Sequence, residues 1–263
     1  MKRVAVCLSG HMRLYKPFFD HFKKEFMNKN KNYKFDFFID TWDKNNFYDD
    51  KWQSDIIEED IKSVFGNDLK RLIIENNDNM LSSDSYKDII DKYKIDHKGD
   101  GSHIINMFYK IYKCNQLKKK YEEENNFIYD VVIRHRSDYF INGNIIFDDL
   151  DMNKMNIINC SIVLPHNPYN FYGINDLFAM SSSKNIDIYS NLYLDFQNHI
   201  EKYKCISEGL ITYYLEENGF ILYPEMKNMN LINVENSYVY RMNELIEYLW
   251  NGYVIMKKIF RHI

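Results

Sequence analysis

A chain of 263 residues holds one large domain or two small ones, and its 45% apolar and 16% aromatic content supplies a full core and excludes a disordered protein. The formal net charge of −4 gives nucleic acid no general attraction, so no nucleic-acid partner is expected. No apolar stretch reaches the roughly 18 residues of a spanning helix, and the N-terminal apolar run is too short for a signal-peptide core. The expectation is a cytoplasmic protein.

The first element is a strand, Arg3 to Leu8, running into Ser9-Gly10-His11-Met12-Arg13. Pro17 suits the first turn of a helix, and Tyr15, Phe18, Phe19, Phe22 and Phe26 recur at helical spacing. A second strand, Phe35 to Asp40, leads into Thr41-Trp42-Asp43, which begins a βαβ pattern and predicts a parallel α/β sheet. Residues 44 to 100 are polar and weakly patterned, with short helices expected near Ile56 to Val64 and Tyr86 to Tyr93, a strand near Leu72 to Glu75, and a loop from Asp96 to Ser102.

A strong helix is expected over Ile104 to Glu124, with Ile104, Phe108, Ile111, Tyr112 and Asn115 on one face and Lys118 to Lys120 in solvent. It leads to a strand, Tyr129 to Ile133, and then to Arg134-His135-Arg136-Ser137-Asp138. In an extended chain Arg134, Arg136 and Asp138 share one side, and His135 and Ser137 the other. Two guanidiniums and a carboxylate at a strand end suit phosphate and metal chemistry; the plainer alternative is an ion pair that only holds the strand end.

Short strands follow at Met155 to Asn159 and Ile162 to Leu164, then a break at Pro165-His166-Asn167-Pro168. Gly173 to Ser182 reads as a loop entering another core strand. Helices fit Ser183 to Tyr203 and Ser207 to Asn218, the second ended by Gly219, with a strand at Phe220 to Tyr223. The tail, Glu244 to Ile263, places Leu249, Tyr253, Met256, Phe260 and Ile263 on one helical face beside Lys257, Lys258, Arg261 and His262. That pattern suits an interfacial membrane helix on an inner leaflet, or a helix docked on its own domain or on a second copy in a homodimer. Cys7, Cys114, Cys160 and Cys205 form no CxxC pair, so free thiols are expected and a zinc site is not.

Four polar groups end predicted core strands: Ser9 to Arg13, Asp40 to Asp43, Arg134 to Asp138, and Asn175-Asp176. Ligands of open α/β sheets bind at the carboxyl ends of strands. Gly10 lets backbone approach a ligand, Arg13 can contact a phosphate with two prongs, and Asp138 is a hard oxygen ligand suited to Mg²⁺ or Mn²⁺. Asp40 and Asp43 could hold a base or ribose, or sit in a solvated turn. Trp42 could stack on a ring but is more often core. The spacings of His11, His103, His135 and His166 match no familiar ligand set, which makes each a polar contact first.

Five blocks together resemble a family. They are Ser-Gly-His-Met-Arg at 9–13, Phe-Phe-Ile-Asp-Thr-Trp at 37–42, Met-Phe-Tyr-Lys-Ile-Tyr-Lys-Cys-Asn at 107–115, Tyr-Asp-Val-Val-Ile-Arg-His-Arg-Ser-Asp at 129–138, and Asn-Asp-Leu-Phe-Ala-Met-Ser-Ser at 175–182. The family is similar to nucleotide-sugar glycosyltransferases of the GT-A fold and occurs in bacterial surface-polysaccharide loci and large DNA viruses. The match runs in order over residues 3 to 223 and is weakest over 44 to 100.

The resemblance implies an α/β fold with a GT-A-like (Rossmann-like) mixed, mainly parallel sheet flanked by helices. It implies one domain over 1–235, with a nucleotide-binding half (1–140) and an acceptor half (141–235), followed by the tail 236–263. The implied activity transfers a sugar from a nucleotide-diphosphate sugar to a glycan or glycolipid. Arg136-Ser137-Asp138 stands where such enzymes carry Asp-x-Asp, so only Asp138 remains as a metal ligand and Arg136 can replace part of the metal's charge. The literal Asp149-Leu150-Asp151 follows no long apolar strand and ranks as a decoy. The donor cleft would use Ser9, Gly10, Arg13, Asp40, Arg134 and Arg136. Asp176 is the first candidate for the base or for holding the donor sugar, and Glu208 the second, although Glu208 after Ser207 also suits ordinary helix capping. Two alternatives stay open: a metal-dependent phosphoesterase or nuclease using Asp40, Asp138, Asp176 and histidines, and a non-catalytic glycan-binding protein of the same fold.

Overall fold

The computed structural model describes residues 1–45, 54–76, 78, 102–163, 172–203, 207–220, 229–231 and 240–241. Strand β1 (Lys2–Ser9) carries apolar side chains on both faces, Val4, Val6 and Leu8 on one and Ala5 and Cys7 on the other. Such a strand is stable only in the middle of a covered sheet. It lies between β2 (Tyr33–Trp42) and β6 (Val131–His135), parallel to both. After a short antiparallel pair, β3 (Lys44–Asn45) with β4 (Ser54–Asp55), strand β5 (Leu69–Glu75) extends the sheet in parallel beyond β2. On the other side β9 (Tyr172–Ser181) runs antiparallel to β6, β8 (Met155–Val163) antiparallel to β9, and β10 (Met229–Leu231) parallel to β8. The seven-stranded order is β10-β8-β9-β6-β1-β2-β5, a mostly parallel mixed sheet.

Helices cover both faces. On one, α1 (Tyr15–Phe22) continues into a wider π-helical turn, Lys23–Met27, and α2 (Glu58–Phe65) follows. The aromatic spacing read in the sequence is the packing face: Phe22 stacks on Phe26 at 4.5 Å and meets Phe35 and Phe37 edge-on. On the other face lie α3 (Ser102–Asn125), α4 (Ser183–Ser190), α5 (Phe196–Tyr203) and α6 (Ser207–Glu217). The chain therefore winds from β1 outward through α1, β2, α2 and β5, then returns over α3 to place β6 on the opposite side of β1. Strand order reverses between β1 and β6, and this opens a crevice at their carboxyl ends.

Several expectations shift. Met155 to Val163 is one strand rather than two, and the core strand expected to follow a loop in Gly173 to Ser182 is present as β9 but already starts at Tyr172, with no loop before it in that stretch. The helix expected over Ser183 to Tyr203 breaks into α4, a 3₁₀ stretch Asn191–Asp195, and α5. The break turns Leu192 into the core and brings Tyr193 against Tyr109 and Tyr112 of α3. Lys118 is not solvated: one turn beyond Cys114 it lies on the same buried face as Ile111 and Asn115, and it pairs there with Asp187 at 2.8 Å and Glu122 at 3.2 Å. Gly219, at φ +86°, ends α6 as expected. The Gly219 N–H donates to the Glu216 carbonyl and the Phe220 N–H to Leu215, while Leu215 and Phe220 join one apolar cluster, a Schellman ending. Phe220 thus belongs to this ending; residues 221–223, the helix expected at 86–93, the loop at 96–101, the break at 165–168 and the tail helix at 244–263 lie outside the described residues.

Candidate functional site

The strand-end motif sits at the crevice where strand order reverses. Strand β6 stops at His135, and Arg136 to Asp138 turn out of the sheet, so the alternation expected along Arg134, Arg136 and Asp138 does not continue. The Arg136 N–H still donates to the Leu177 carbonyl of β9, which fixes the backbone as it leaves. The side chains then divide into two environments.

In the first, Asp138 is clamped by two guanidiniums. Arg136 donates through Nε to Oδ1 at 2.9 Å and through Nη2 to Oδ2 at 2.6 Å, a bidentate pair. Arg13, from the loop after β1, donates through Nη1 to Oδ2 at 3.0 Å. Burial alone would raise the Asp138 pKa, but the two arginines outweigh it and hold the carboxyl below its ordinary value. Burial likewise opposes the charge of Arg136, and Asp138 with Asp176 overcomes it. The loop that delivers Arg13 starts at Gly10, whose φ of +93° a β-carbon would strain, and the Gly10 N–H donates to the Asp40 carbonyl. Ser137 Oγ donates to the His11 carbonyl, tying the two loops together.

In the second, Arg134 points to the sheet face covered by α3 and α4. It is 1% exposed, and its Nε, Nη1 and Nη2 have no hydrogen-bond partner. Burial lowers its pKa, while Tyr189, Asp176 and Asp138 act to raise it. Tyr189, on α4, is fully buried with its hydroxyl unpaired; burial pushes its pKa up to about 12, with Asp176 and Glu208 acting in the same direction. The two carboxylates read in the sequence as candidates, Asp176 and Glu208, thus both lie within electrostatic reach of Tyr189. The sequence gives Tyr189 only a place inside the helix expected over Ser183 to Tyr203; a hydroxyl on its buried face is the one signal available.

Other residues fall elsewhere. Asp40 is fully buried under α3 and faces Lys110 Nζ at 2.6 Å; Lys110 also reaches Glu75 at 2.7 Å and the Thr41 carbonyl, and its ammonium lies 3.9 Å from the Trp42 ring centre. Burial raises the Asp40 pKa to about 6 against the pull of Lys110. Asp40 and Trp42 thus serve the packing of α3 on β2. Asp43 has its backbone N–H donated to the Glu75 carbonyl at the end of β5. Ser9 is buried with its hydroxyl unpaired, on the same face as Arg134 and Asp40. Glu208 opens α6 and accepts a hydrogen bond from Ser207 Oγ at 2.9 Å. Asp149-Leu150-Asp151 lies toward the amino ends of the strands, opposite the crevice: neighbouring Asp148 pairs with Lys2 and Tyr33, which open β1 and β2.

Of the four histidines weighed in the sequence, His11 and His135 stand in separate surroundings, and His166 and the side chain of His103 lie outside what the structure describes. His11 Nδ1 pairs with the Lys44 carbonyl, and burial beside Arg13 pushes its pKa down to about 4. His135 is enclosed by Phe18, Phe22, Phe26 and Phe178, and burial takes it down to about 3. Among the described residues no group of three or more His, Cys, Asp or Glu side chains converges as a metal site. Mn²⁺ or Mg²⁺ at Asp138 does not fit this arrangement, because both carboxylate oxygens already accept from guanidiniums. Cys7 and Cys114 are free buried thiols. No protein-family model matches the chain, and no curated protein matches it.

Proposed function

We propose that the chain transfers a sugar from a nucleotide-diphosphate donor to a glycan or glycolipid acceptor, on a GT-A-like form of its α/β fold. The observation that supports this most is the Arg13–Asp138–Arg136 clamp beside the Gly10 loop, at the point where strand order reverses. Arg13 and Arg136 bring two guanidiniums together at this point, and planar multi-donor groups of this kind suit a phosphate. Arg136 keeps about a quarter of its side chain exposed at that edge.

In this reading the donor diphosphate lies on Arg13 and Arg136. As the bond between the sugar's anomeric carbon and the diphosphate oxygen breaks, negative charge grows on that oxygen, and fixed guanidiniums stabilise it more than water does. The acceptor hydroxyl oxygen bonds to the anomeric carbon, and its proton passes to a carboxylate; Asp176 is the first candidate and Glu208 the second. In this reading the arginines take over the charge that a metal supplies in the glycosyltransferases the sequence resembles, and no step runs through a metal ion. A phosphoesterase would need its acids and histidines together, whereas Asp40 is held by Lys110 and His135 is enclosed by phenylalanines.

Calorimetric titration with UDP, GDP, CDP and dTDP sugars, with and without Mn²⁺, is the test. At least one is expected to bind equally well in both conditions. Arg136→Lys, which loses the bidentate geometry, should weaken that binding about 10- to 100-fold. No binding by any of the four to folded protein overturns the reading.

A further inference from the structure

Among the described residues, the buried cations on the sheet face covered by α3 and α4 have hydrogen-bonding partners, with one exception. Lys110 has Asp40, Glu75 and the Thr41 carbonyl; Lys118 has Asp187, Glu122 and Ser183. Arg134, the largest of the fully buried side chains among the described residues, has no hydrogen-bond acceptor on any of its three nitrogens. Burying an unpaired guanidinium is strongly unfavourable, and such a cost persists where a ligand recovers it.

The surroundings offer small neighbours and further donors. Register places Arg134 between Cys7 of β1 and Ala179 of β9, both small. Above it α4 packs on β6 and brings Tyr189, whose hydroxyl is unpaired. One pleat further along the same face of β1 is Ser9, whose hydroxyl is also unpaired. Asp176 and Asp138 offset the charge at a distance, yet neither accepts a hydrogen bond from Arg134. The local imbalance is therefore one of acceptors. A guanidinium fork is matched by a group that presents two oxygens in a plane.

We propose that Arg134, Tyr189 and Ser9 form a second oxyanion site under α4, separate from the Arg13–Asp138–Arg136 clamp, that takes a carboxylate or phosphoryl group. Its occupant, if the transferase reading holds, is the acidic group that reaches deepest from a ligand seated on the clamp. The presence of the anion site does not depend on that reading.

The probes are inorganic pyrophosphate, UDP-glucose and UDP-glucuronate, the last two differing only at C6, a hydroxymethyl in one and a carboxylate in the other. Melting temperature and titration are read on the full chain and on Arg134→Met. Wild type is expected to be stabilised by pyrophosphate. Arg134→Met should melt at or above the wild-type temperature without ligand and bind pyrophosphate at least tenfold more weakly. If the carboxylate is the occupant, UDP-glucuronate binds wild type at least tenfold more tightly than UDP-glucose, and the difference vanishes in Arg134→Met. If the phosphoryl group is the occupant, both sugars bind wild type alike and both weaken together. Tyr189→Phe, which removes one hydroxyl and keeps the ring, should weaken pyrophosphate three- to tenfold.

Unchanged affinities in Arg134→Met and Tyr189→Phe refute the proposal, and so does an Arg134→Met chain that melts far lower or fails to fold, since the arginine is then structural. Pyrophosphate binding lost in Arg134→Met, with no nucleotide bound by wild type, keeps the anion site and removes the transferase reading. Nucleotide binding untouched by Arg134→Met does the reverse.

Discussion

At the scale of single residues, Asp138 organises the strand-end site through charge balance. Both of its oxygens are occupied, so Asp138→Asn keeps the shape, loses the charge and leaves an amide NH₂ facing a guanidinium. The expected cost is about 1–3 kcal/mol of stability, with donor turnover lost while the chain stays folded; a passive scaffold would lose no activity. The acid response separates this carboxylate from its neighbours. The folded pKa of Asp138 lies below its ordinary value of 3.8, so the unfolded chain takes up the proton first as pH falls. Its stabilisation is complete above that ordinary value and is lost as pH drops through the folded one. His135 acts in the same sense over a different window: the unfolded imidazole protonates near 6.5, whereas the folded one resists until about 3. Thermal melts from pH 7 to pH 3 should therefore fall in wild type across both windows. In Asp138→Asn the loss below pH 4 should shrink and the loss between pH 6.5 and 4 should stay; an unchanged profile below pH 4 would show that the clamp contributes no charge energy. Periodicity could pick out Arg134, Arg136 and Asp138 as a group. It could not divide them, because the division depends on β6 ending at His135, where pairing with β9 passes to a single bond from Arg136.

At the scale of elements, long periodic segments were legible and polar ones on buried faces were not. The aromatic face of α1 and the apolar face of α3 follow from spacing alone, since few other arrangements bury Phe18, Phe22 and Phe26 or Ile104, Phe108 and Ile111 together. A lysine run gives no such sign. Lys118 and Lys110 are drawn inward by acids from other elements, Asp187 on α4 and Asp40 on β2. Lys110 pins α3 to the sheet and Lys118 pins it to α4, at places where its face is not apolar. Lys110→Met should cost about 3–5 kcal/mol, because Asp40 then lies buried without its cation. Replacing Asp40 by Leu in the same chain should recover most of that loss, as a packed apolar pair is often no worse than a buried ion pair. Denaturant unfolding of both variants checks this; a double variant no more stable than the single one would mean that Asp40 has a further role.

At the scale of the whole molecule, βαβ order and a mainly parallel sheet were readable from the first two strands and the helix between them. The edge was not. Strand β10 comes from a segment without strand pattern, and the pairing of Tyr240–Arg241 (β11) with Tyr139–Phe140 (β7) joins the start of the tail to the backbone just past the clamp. Such long-range pairings leave no local trace. Among the described residues no helix is long and apolar enough to cross a membrane. The proposed membrane contact, peripheral and on an inner leaflet, rests on the sequence of 244–263 alone. Flotation with anionic vesicles should be strong for the full chain and weak for one ending near residue 243; equal flotation of the two would remove the tail as an anchor.

The central place of β1 has a consequence during synthesis. Its first partner, β2, arrives within some 30 residues, but its other partner starts only at Val131. At about 5–20 residues per second on a ribosome, one edge of β1 stays unpaired for roughly 5–20 s after β2 is complete. The backbone hydrogen-bonding groups of Val4 to Leu8 have no strand to meet in that interval, and an open edge of this kind invites pairing with another nascent chain. Slowing translation between residues 42 and 131 prolongs that exposure, so the chain's yield is tied to the pace at which its least patterned segment is read.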